Sequence, residues 1–413
     1  MPTIAEGNGL LIVGGGLSSA RAIKAYRDAG GDGPVRLLSA DSFIPYHRPP
    51  LSKRYLRGED EVADTLVEPD AYYAEHNVEV ELDVVVATLD LGGRRVLLEG
   101  GGERRFDRLL IASGATPRHL DVPGRDLEGV HTLRTLGNST AIREAARGAR
   151  QAVVVGAGFI GMEVAASLKQ LGLELTLVHR GEGLFEILRA RHVMQFFSDL
   201  YGRRGVELDL ADEVESFGGR SRLDSVVTAR GRVIQAELAV VGIGVEPVTG
   251  WLEDSGLQLE DGVVVNERFE TGVENVWAVG DVARFYDPIF AKHRRIEHWS
   301  NANYAGTEVG KLIAGGRGGF DTVSAFFTEA FGLTFRVFGD VDDVDDIVFR
   351  GALEEEKAIG FYLREGRLVA TLVVGQDDET QDRLKELIRA RAPVPDPERL
   401  ADEAAPLDEV FET

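Results

Sequence analysis

The run Leu11-Ile12-Val13-Gly14-Gly15-Gly16-Leu17-Ser18-Ser19-Ala20 and the run Val153-Val154-Val155-Gly156-Ala157-Gly158-Phe159-Ile160-Gly161-Met162-Glu163 lie 142 residues apart and repeat one pattern. Each begins in a short apolar stretch (10–13 and 152–155) that reads as a strand and opens a stretch (18–29 and 160–171) that reads as a helix. A second apolar stretch follows each (35–39 and 174–179), which completes a strand–helix–strand unit. In that setting the glycines let the backbone approach a pyrophosphate at a helix N-terminus, where unpaired N–H groups and the helix dipole favour an anion. Two such units predict two nucleotide cofactors, one carrying a flavin and one a nicotinamide. The first pattern departs at one place: Ser19 stands where the third glycine is expected, and its small side chain is compatible with close helix–strand packing.

The chain has no cysteine in 413 residues, so electrons cannot pass through a dithiol, thiolate or sulfenate of its own, and no cysteine-ligated metal or iron–sulfur cluster is expected. Its length predicts two or three domains, and an apolar content of 44% is ample for their cores. A net charge of −23 opposes general nucleic-acid binding. No run approaches the roughly 18 apolar residues of a membrane span. The first apolar stretch feeds a fingerprint and no basic segment precedes it, so a cytoplasmic enzyme without a signal peptide is expected.

Further buried strands are expected at 108–111, breaking at Gly114, at 238–241, followed by Gly242 and Gly244, and at 275–279, ending in Gly280-Asp281. Beyond residue 320 the pattern changes to antiparallel strands at 335–338, 346–350, 358–364 and 368–374, with a hairpin turn at 364–367. A polar helix at 379–391 and a loosely packed, Pro- and acid-rich tail from residue 393 complete the reading.

The end of the second strand of each unit meets the adenosine ribose, where a carboxylate accepts from the 2′-hydroxyl and a basic residue favours a 2′-phosphate. In the first unit, Ser39-Ala40-Asp41 offers Asp41. In the second, His179-Arg180 occupies the position, so either Arg180 clamps the 2′-phosphate of NADPH or Arg180 faces solvent and Glu182 serves the ribose. Between the units, Pro45-Tyr46-His47-Arg48-Pro49-Pro50-Leu51-Ser52-Lys53 is basic and stiffened by proline. Ser52 is expected to cap a helix that delivers Lys53, and such a fixed cation stabilises negative charge on a reduced flavin; a plain surface turn is the alternative.

Arg48-Pro49-Pro50-Leu51-Ser52-Lys53 after such a fingerprint resembles the ferredoxin reductase family that serves bacterial oxygenases and cytochromes P450. Putidaredoxin, rubredoxin and biphenyl-dioxygenase ferredoxin reductases belong to it, with apoptosis-inducing factor as a relative. The similarity extends through Thr132-Leu133-Arg134-Thr135, Val241-Gly242-Ile243-Gly244, Val279-Gly280-Asp281-Val282 and Arg295-Ile296-Glu297-His298-Trp299. It implies that Gly14, Gly16, Leu17 and Ser18 lie on the FAD pyrophosphate and that Asp281 bonds the ribityl chain. Ser39, Asp41, Arg48, Val86, Ala112, Gly114, Arg134 and Gly280 complete the implied FAD lining, and Trp299 lies close to the flavin ring. Lys53 is implied near flavin N5, paired with Glu163. Gly156, Gly158, Ile160, Gly161 and Glu163 are implied to line the nicotinamide nucleotide, with Gly244 and Glu297 near the nicotinamide; Phe159, His179 and Arg180 are further candidates for that site. Without the resemblance, Trp299 and Phe327 read as core aromatics. Two departures stand out: Phe327-Thr328-Glu329 replaces a frequent Trp-Ser-Asp stretch, and His179 replaces a frequent carboxylate.

The expected fold is α/β, with two Rossmann-like domains of the glutathione-reductase type and a small α+β C-terminal domain carrying an antiparallel sheet. The FAD domain would comprise 1–117 and 247–320, the NAD(P)H domain 118–246, and the C-terminal domain 321–413. The expected activity takes a hydride from NADH or NADPH onto FAD and passes single electrons to a 2Fe–2S ferredoxin, with no resident metal. Lys292-His293-Arg294-Arg295 is either a solvated face or one of few basic spots where an acidic carrier can dock. The alternatives are a rubredoxin acceptor, an NAD(P)H oxidase or peroxidase, or a redox-sensing protein like apoptosis-inducing factor. Neither a nucleic acid nor a membrane is an expected partner, and the chain is expected as a monomer or dimer.

Overall fold

The computed structural model describes residues 9–411. The chain divides into two compact units, one of residues 1–49, 61–116 and 245–321, the other of residues 50–60, 117–244 and 322–413.

The first unit is built on a five-stranded parallel sheet in the order Val276–Ala278, Arg108–Ile111, Leu10–Val13, Val35–Leu38, Val78–Glu81. All four residues of Leu10–Val13 are buried, as expected for a continuous apolar run at the centre of a sheet covered on both faces. Helix Leu17–Asp28 follows and lies against helix Trp299–Ile313. A three-stranded antiparallel sheet, Val86–Asp90, Arg95–Leu98 and Glu103–Arg105, adds to this unit.

The second unit repeats the plan. Its parallel sheet runs Val206–Leu210, Glu174–His179, Gln151–Val155, Leu238–Val241, Val130–Thr132, again with the fingerprint strand at the centre. Helix Leu136–Gly148 is started by Thr135, whose hydroxyl accepts from the Asn138 N–H at 3.1 Å. The antiparallel sheet near the C-terminus has five strands in the order Ala325–Ala330, Leu333–Gly339, Arg367–Val374, Lys357–Arg364, Asp346–Ala352. The hairpin at 364–367 carries Glu365 at φ 51° and Gly366 at φ 66°, the double left-handed turn that matches strand twist.

The strand Ala325–Ala330 precedes the antiparallel strands expected beyond residue 320, and its alternation of buried positions begins only at Thr328. One expectation of the fold needs correction. The acidic tail is firmly packed: Leu400 and Val410 are buried, and Arg350 donates to the carbonyls of Leu400 at 2.7 Å and Ala405 at 3.1 Å. A few isolated apolar side chains and one arginine anchor a segment whose composition reads as disordered. Among the described residues no helix is long and apolar enough to cross a membrane.

Candidate functional site: two glycine cradles and a buried ion pair

In the first unit the strand Leu10–Val13 ends at Gly14, held at φ 116°. A Cβ there would lie 2.1 Å from the Ala112 carbonyl oxygen, so only glycine is accommodated. The helix starts on Gly16, which supplies no side-chain cap, and its first intrahelical bond runs from the Ala20 N–H to the Gly16 carbonyl. The N–H groups of Leu17, Ser18 and Ser19 therefore have no acceptor within the helix. A Cβ on Gly16 would meet nothing within 4 Å, so the space before these donors is open. The cradle thus fits the diphosphate of a dinucleotide.

Ser19 fills its unexpected place by donating its hydroxyl to the Gly14 carbonyl. Ser18 donates its hydroxyl to the Ala302 carbonyl at 3.0 Å, so only its backbone N–H is left facing the cradle. Gly280, at φ 77°, stands over Ser18, and a Cβ there would lie 2.7 Å from the serine oxygen. Gly14, Ala112 and Gly280-Asp281 thus lie at the carboxyl ends of three neighbouring strands, with Gly114 at φ 70° two residues further on. Beyond the next strand, the Ser39 hydroxyl accepts from the Asp41 N–H at 3.1 Å, and the Asp41 carboxylate accepts from the Tyr46 hydroxyl at 2.6 Å. Val86 packs against the core of this unit, and Arg48 is half-buried.

Trp299 opens its helix and donates Nε1–H to His47 Nδ1 at 2.9 Å, which requires a neutral imidazole. Burial, and then the Arg21 charge, hold His47 below its ordinary pKa. Glu297 pairs with Arg295, which also binds Asp261 at 3.1 Å, and Arg294 pairs with the fully buried Asp287 at 3.2 Å. Of the basic run 292–295, both arginines are thus paired with carboxylates.

The second cradle is laid out in the same way. Gly156 is at φ 104°, with a Cβ position 2.3 Å from the Gly242 carbonyl oxygen. Gly158 starts the helix without a side-chain cap and faces open space, and the first intrahelical bond is Met162 N–H to the Gly158 carbonyl. A Cβ on Gly161 would lie 2.1 Å from the Gly156 carbonyl oxygen. Gly244, at φ 104°, follows the neighbouring strand Leu238–Val241. Ile160 is 41% exposed beside the cradle, whereas the Phe159 ring packs on Phe185 and Phe326, with centroids at 5.4 and 4.8 Å.

The residue that sequence reasoning missed is Glu186. From the turn Glu186–Leu188 its carboxylate reaches back to the end of the strand Glu174–His179. It accepts from the N–H groups of Glu182 at 2.5 Å and Gly183 at 3.0 Å, and lies 3.8 Å from His179 Nε2. Burial is the main influence holding His179 below its ordinary pKa, against the pull of Glu186. Glu182 and Arg180 are exposed.

The second unit also contains the buried pair Lys53 and Glu163. Lys53 Nζ lies 2.6 Å from Glu163 Oε2, with the side chains 10% and 6% exposed. Ser52 donates to the same oxygen at 2.6 Å, and Thr328 donates to Oε1 at 3.0 Å. Ser52 is therefore not the helix cap expected of it; Lys53 itself occupies the cap position of helix Arg54–Arg57. The segment is pinned by Ser139 donating to the Leu51 carbonyl at 2.7 Å and Ser167 to the Ser52 carbonyl at 2.6 Å. The Phe327 ring lies 5.8 Å from Lys53 Nζ, and Arg134 precedes helix Leu136–Gly148 in this same unit. Three donors on one carboxylate fix where the lysine charge can sit.

The model of the family described as pyridine nucleotide-disulphide oxidoreductase matches residues 9–306, and a reductase C-terminal model matches residues 325–411. The chain is 32% identical to the ferredoxin–NAD(+) reductase subunit of a benzene 1,2-dioxygenase system of Pseudomonas putida, covering 96% of this chain and 95% of that protein. Its fold matches that in a covalent putidaredoxin reductase–putidaredoxin complex with a TM-score of 0.93 at 29% identity, over 98% of this chain and 99% of the other. A ferredoxin reductase for the CYP199A2 system of Rhodopseudomonas palustris matches with a TM-score of 0.91 at 27% identity, again over 98% and 99%.

Proposed function

The chain belongs to the pyridine nucleotide-disulphide oxidoreductase family, and from that premise we propose that it is the NAD(P)H-dependent ferredoxin reductase of an oxygenase or cytochrome P450 electron-transfer chain. FAD, when bound, supplies the conversion between a two-electron hydride donor and a one-electron carrier such as a 2Fe–2S ferredoxin. The reading gives 1–117 and 247–320 to FAD, 118–246 to the nicotinamide nucleotide and 321–413 to a C-terminal domain. It places the enzyme in the cytoplasm.

The observation that carries this reading is the pairing of two open glycine cradles with a chain that has no cysteine. The N–H groups of Leu17, Ser18 and Ser19 hold the FAD diphosphate, and those of Phe159, Ile160 and Gly161 hold that of the nicotinamide nucleotide. Lys53, held against Glu163, supplies fixed positive charge for the reduced flavin. With no thiol in the chain to receive electrons, the acceptor is a separate molecule.

The test is anaerobic titration of the yellow holoenzyme with NADH and with NADPH, followed by stopped-flow mixing with a 2Fe–2S ferredoxin. Bleaching by nucleotide and fast reoxidation by ferredoxin are expected. Reduced enzyme that reacts no faster with ferredoxin than with buffer overturns the reading, and reoxidation by rubredoxin alone replaces the acceptor.

A further inference from the structure

The second unit opens a cleft of about 550 Å3 lined by Arg57, Arg143, Arg147 and Arg150, with Leu171 and Glu174 among its other walls. It lies where helices Leu136–Gly148 and Phe159–Gln170 end and where strands Gln151–Val155 and Glu174–His179 begin. The nicotinamide cradle is at the other, carboxyl end of those strands, roughly 16 Å away at the usual rise of a five-residue strand. The cleft is therefore separate from the dinucleotide site.

Its lining is cationic in a chain of net charge −23. The chain has 69 acidic against 46 basic residues, and what sets this cleft apart is four arginines in its lining, against arginines such as Arg36, Arg104, Arg232 and Arg295 that each meet a carboxylate. The side chains of Arg143, Arg147 and Arg150 make no ion pair in the described structure, and the Nε of Arg143 is buried without a hydrogen-bond partner. The Arg143 guanidinium carbon lies over the Tyr55 ring, 4.8 Å from its centroid. Arg57 is fixed by Glu59 at 2.6 and 3.0 Å and by the Ser167 hydroxyl at 3.3 Å. A helix C-terminus favours a cation in its last turn, which accounts for Arg147 but not for the other three. The lining carboxylate, Glu174, accepts from Gln151 at 3.0 Å.

We propose that this cleft binds an oligophosphate. Guanidinium forks match phosphoryl oxygens in paired hydrogen bonds, and Arg143, Arg147 and Arg150 along one cleft suit an anion with more than one phosphoryl group. The volume is that of a nucleotide-sized site rather than of a single inorganic ion. The chemistry is shared by inorganic pyrophosphate and by the phosphate chain of a nucleoside triphosphate.

The test uses holoenzyme saturated with NAD+, so that both dinucleotide cradles are filled. Pyrophosphate, ATP and sulfate are titrated calorimetrically at equal ionic strength. Saturable binding of pyrophosphate is expected, weakened at least tenfold in an Arg147→Gln/Arg150→Gln variant that stays folded and keeps its NADH-driven flavin reduction unchanged. Equal affinities for pyrophosphate and ATP identify the phosphate chain as the whole ligand, and tighter ATP binding adds the nucleoside. The proposal is overturned if pyrophosphate gives no saturable heat, if sulfate matches it, or if the variant binds as well as the parent.

Discussion

Helices Leu17–Asp28 and Phe159–Gln170 both start on an uncapped glycine, yet the backbone each approaches most closely is different. In the second, the close approach is inside the cradle: a Cβ on Gly161 would lie 2.1 Å from the Gly156 carbonyl oxygen. In the first, Ser19 takes the corresponding position and donates its hydroxyl to the Gly14 carbonyl. There the main chain of the helix itself is met most closely by the partner helix, where a Cβ on Gly306 or Gly310 would lie 2.5 Å from the Ser18 carbonyl oxygen or 2.3 Å from the Ala22 carbonyl oxygen. Glycine is thus demanded by whichever main chain is nearest, and a fingerprint can lose its third glycine where a hydroxyl satisfies the neighbouring carbonyl. The second helix also carries a buried charge, Glu163, for which the first has no counterpart.

The contrast breaks most visibly at those positions. Gly161→Val should destabilise the protein by about 4 kcal/mol or more, because the neighbour is backbone, while Ser19→Gly should change stability by only about 1 kcal/mol. Urea unfolding of the two variants checks this, and comparable losses would mean that the cradles are built alike. Glu163→Gln leaves Lys53 buried without its counter-charge and should remove about 3 kcal/mol, largely restored by a Lys53→Met/Glu163→Gln double variant. Failure of the double variant to recover would locate the loss elsewhere than in the pair.

Arg180→Glu should lower the NADPH-to-NADH ratio of kcat/KM by about tenfold, near 1.4 kcal/mol, with no effect on FAD retention. An unaltered ratio would assign selection to Glu186 and the backbone it holds. The smallest effect belongs to His47. Its folded pKa is depressed, so its contribution to stability is complete above the ordinary imidazole value of 6.5 and is lost as pH falls through the lower folded value. The Tm should therefore decline more steeply below pH 6.5 in the parent than in a His47→Gln variant, and parallel declines would remove His47 from the acid response.

Much of this was legible from local pattern. The two strand–glycine–helix units could be read because each glycine answers a backbone requirement within a few residues of itself. Glu186 escaped notice because it arrives from a turn after the strand rather than at the strand end. Ser52 looked like a cap because its true partner, Glu163, is 111 residues away. The charges of Arg294 and Arg295 looked available for a similar reason, since the burial of Asp287 and the reach of Asp261 appear only in three dimensions.

The Glu163 carboxylate is gripped by donors from before, and from far beyond, the chain segment that contains it: Ser52 and Lys53 on one side, Thr328 on the other. Excising residues 117–244 as an autonomous nucleotide-binding module would therefore strip an acid of every one of these partners. Modular transplantation of this half of the enzyme has to carry the short Pro50–Asp60 insert and the carboxyl-terminal sheet along with it.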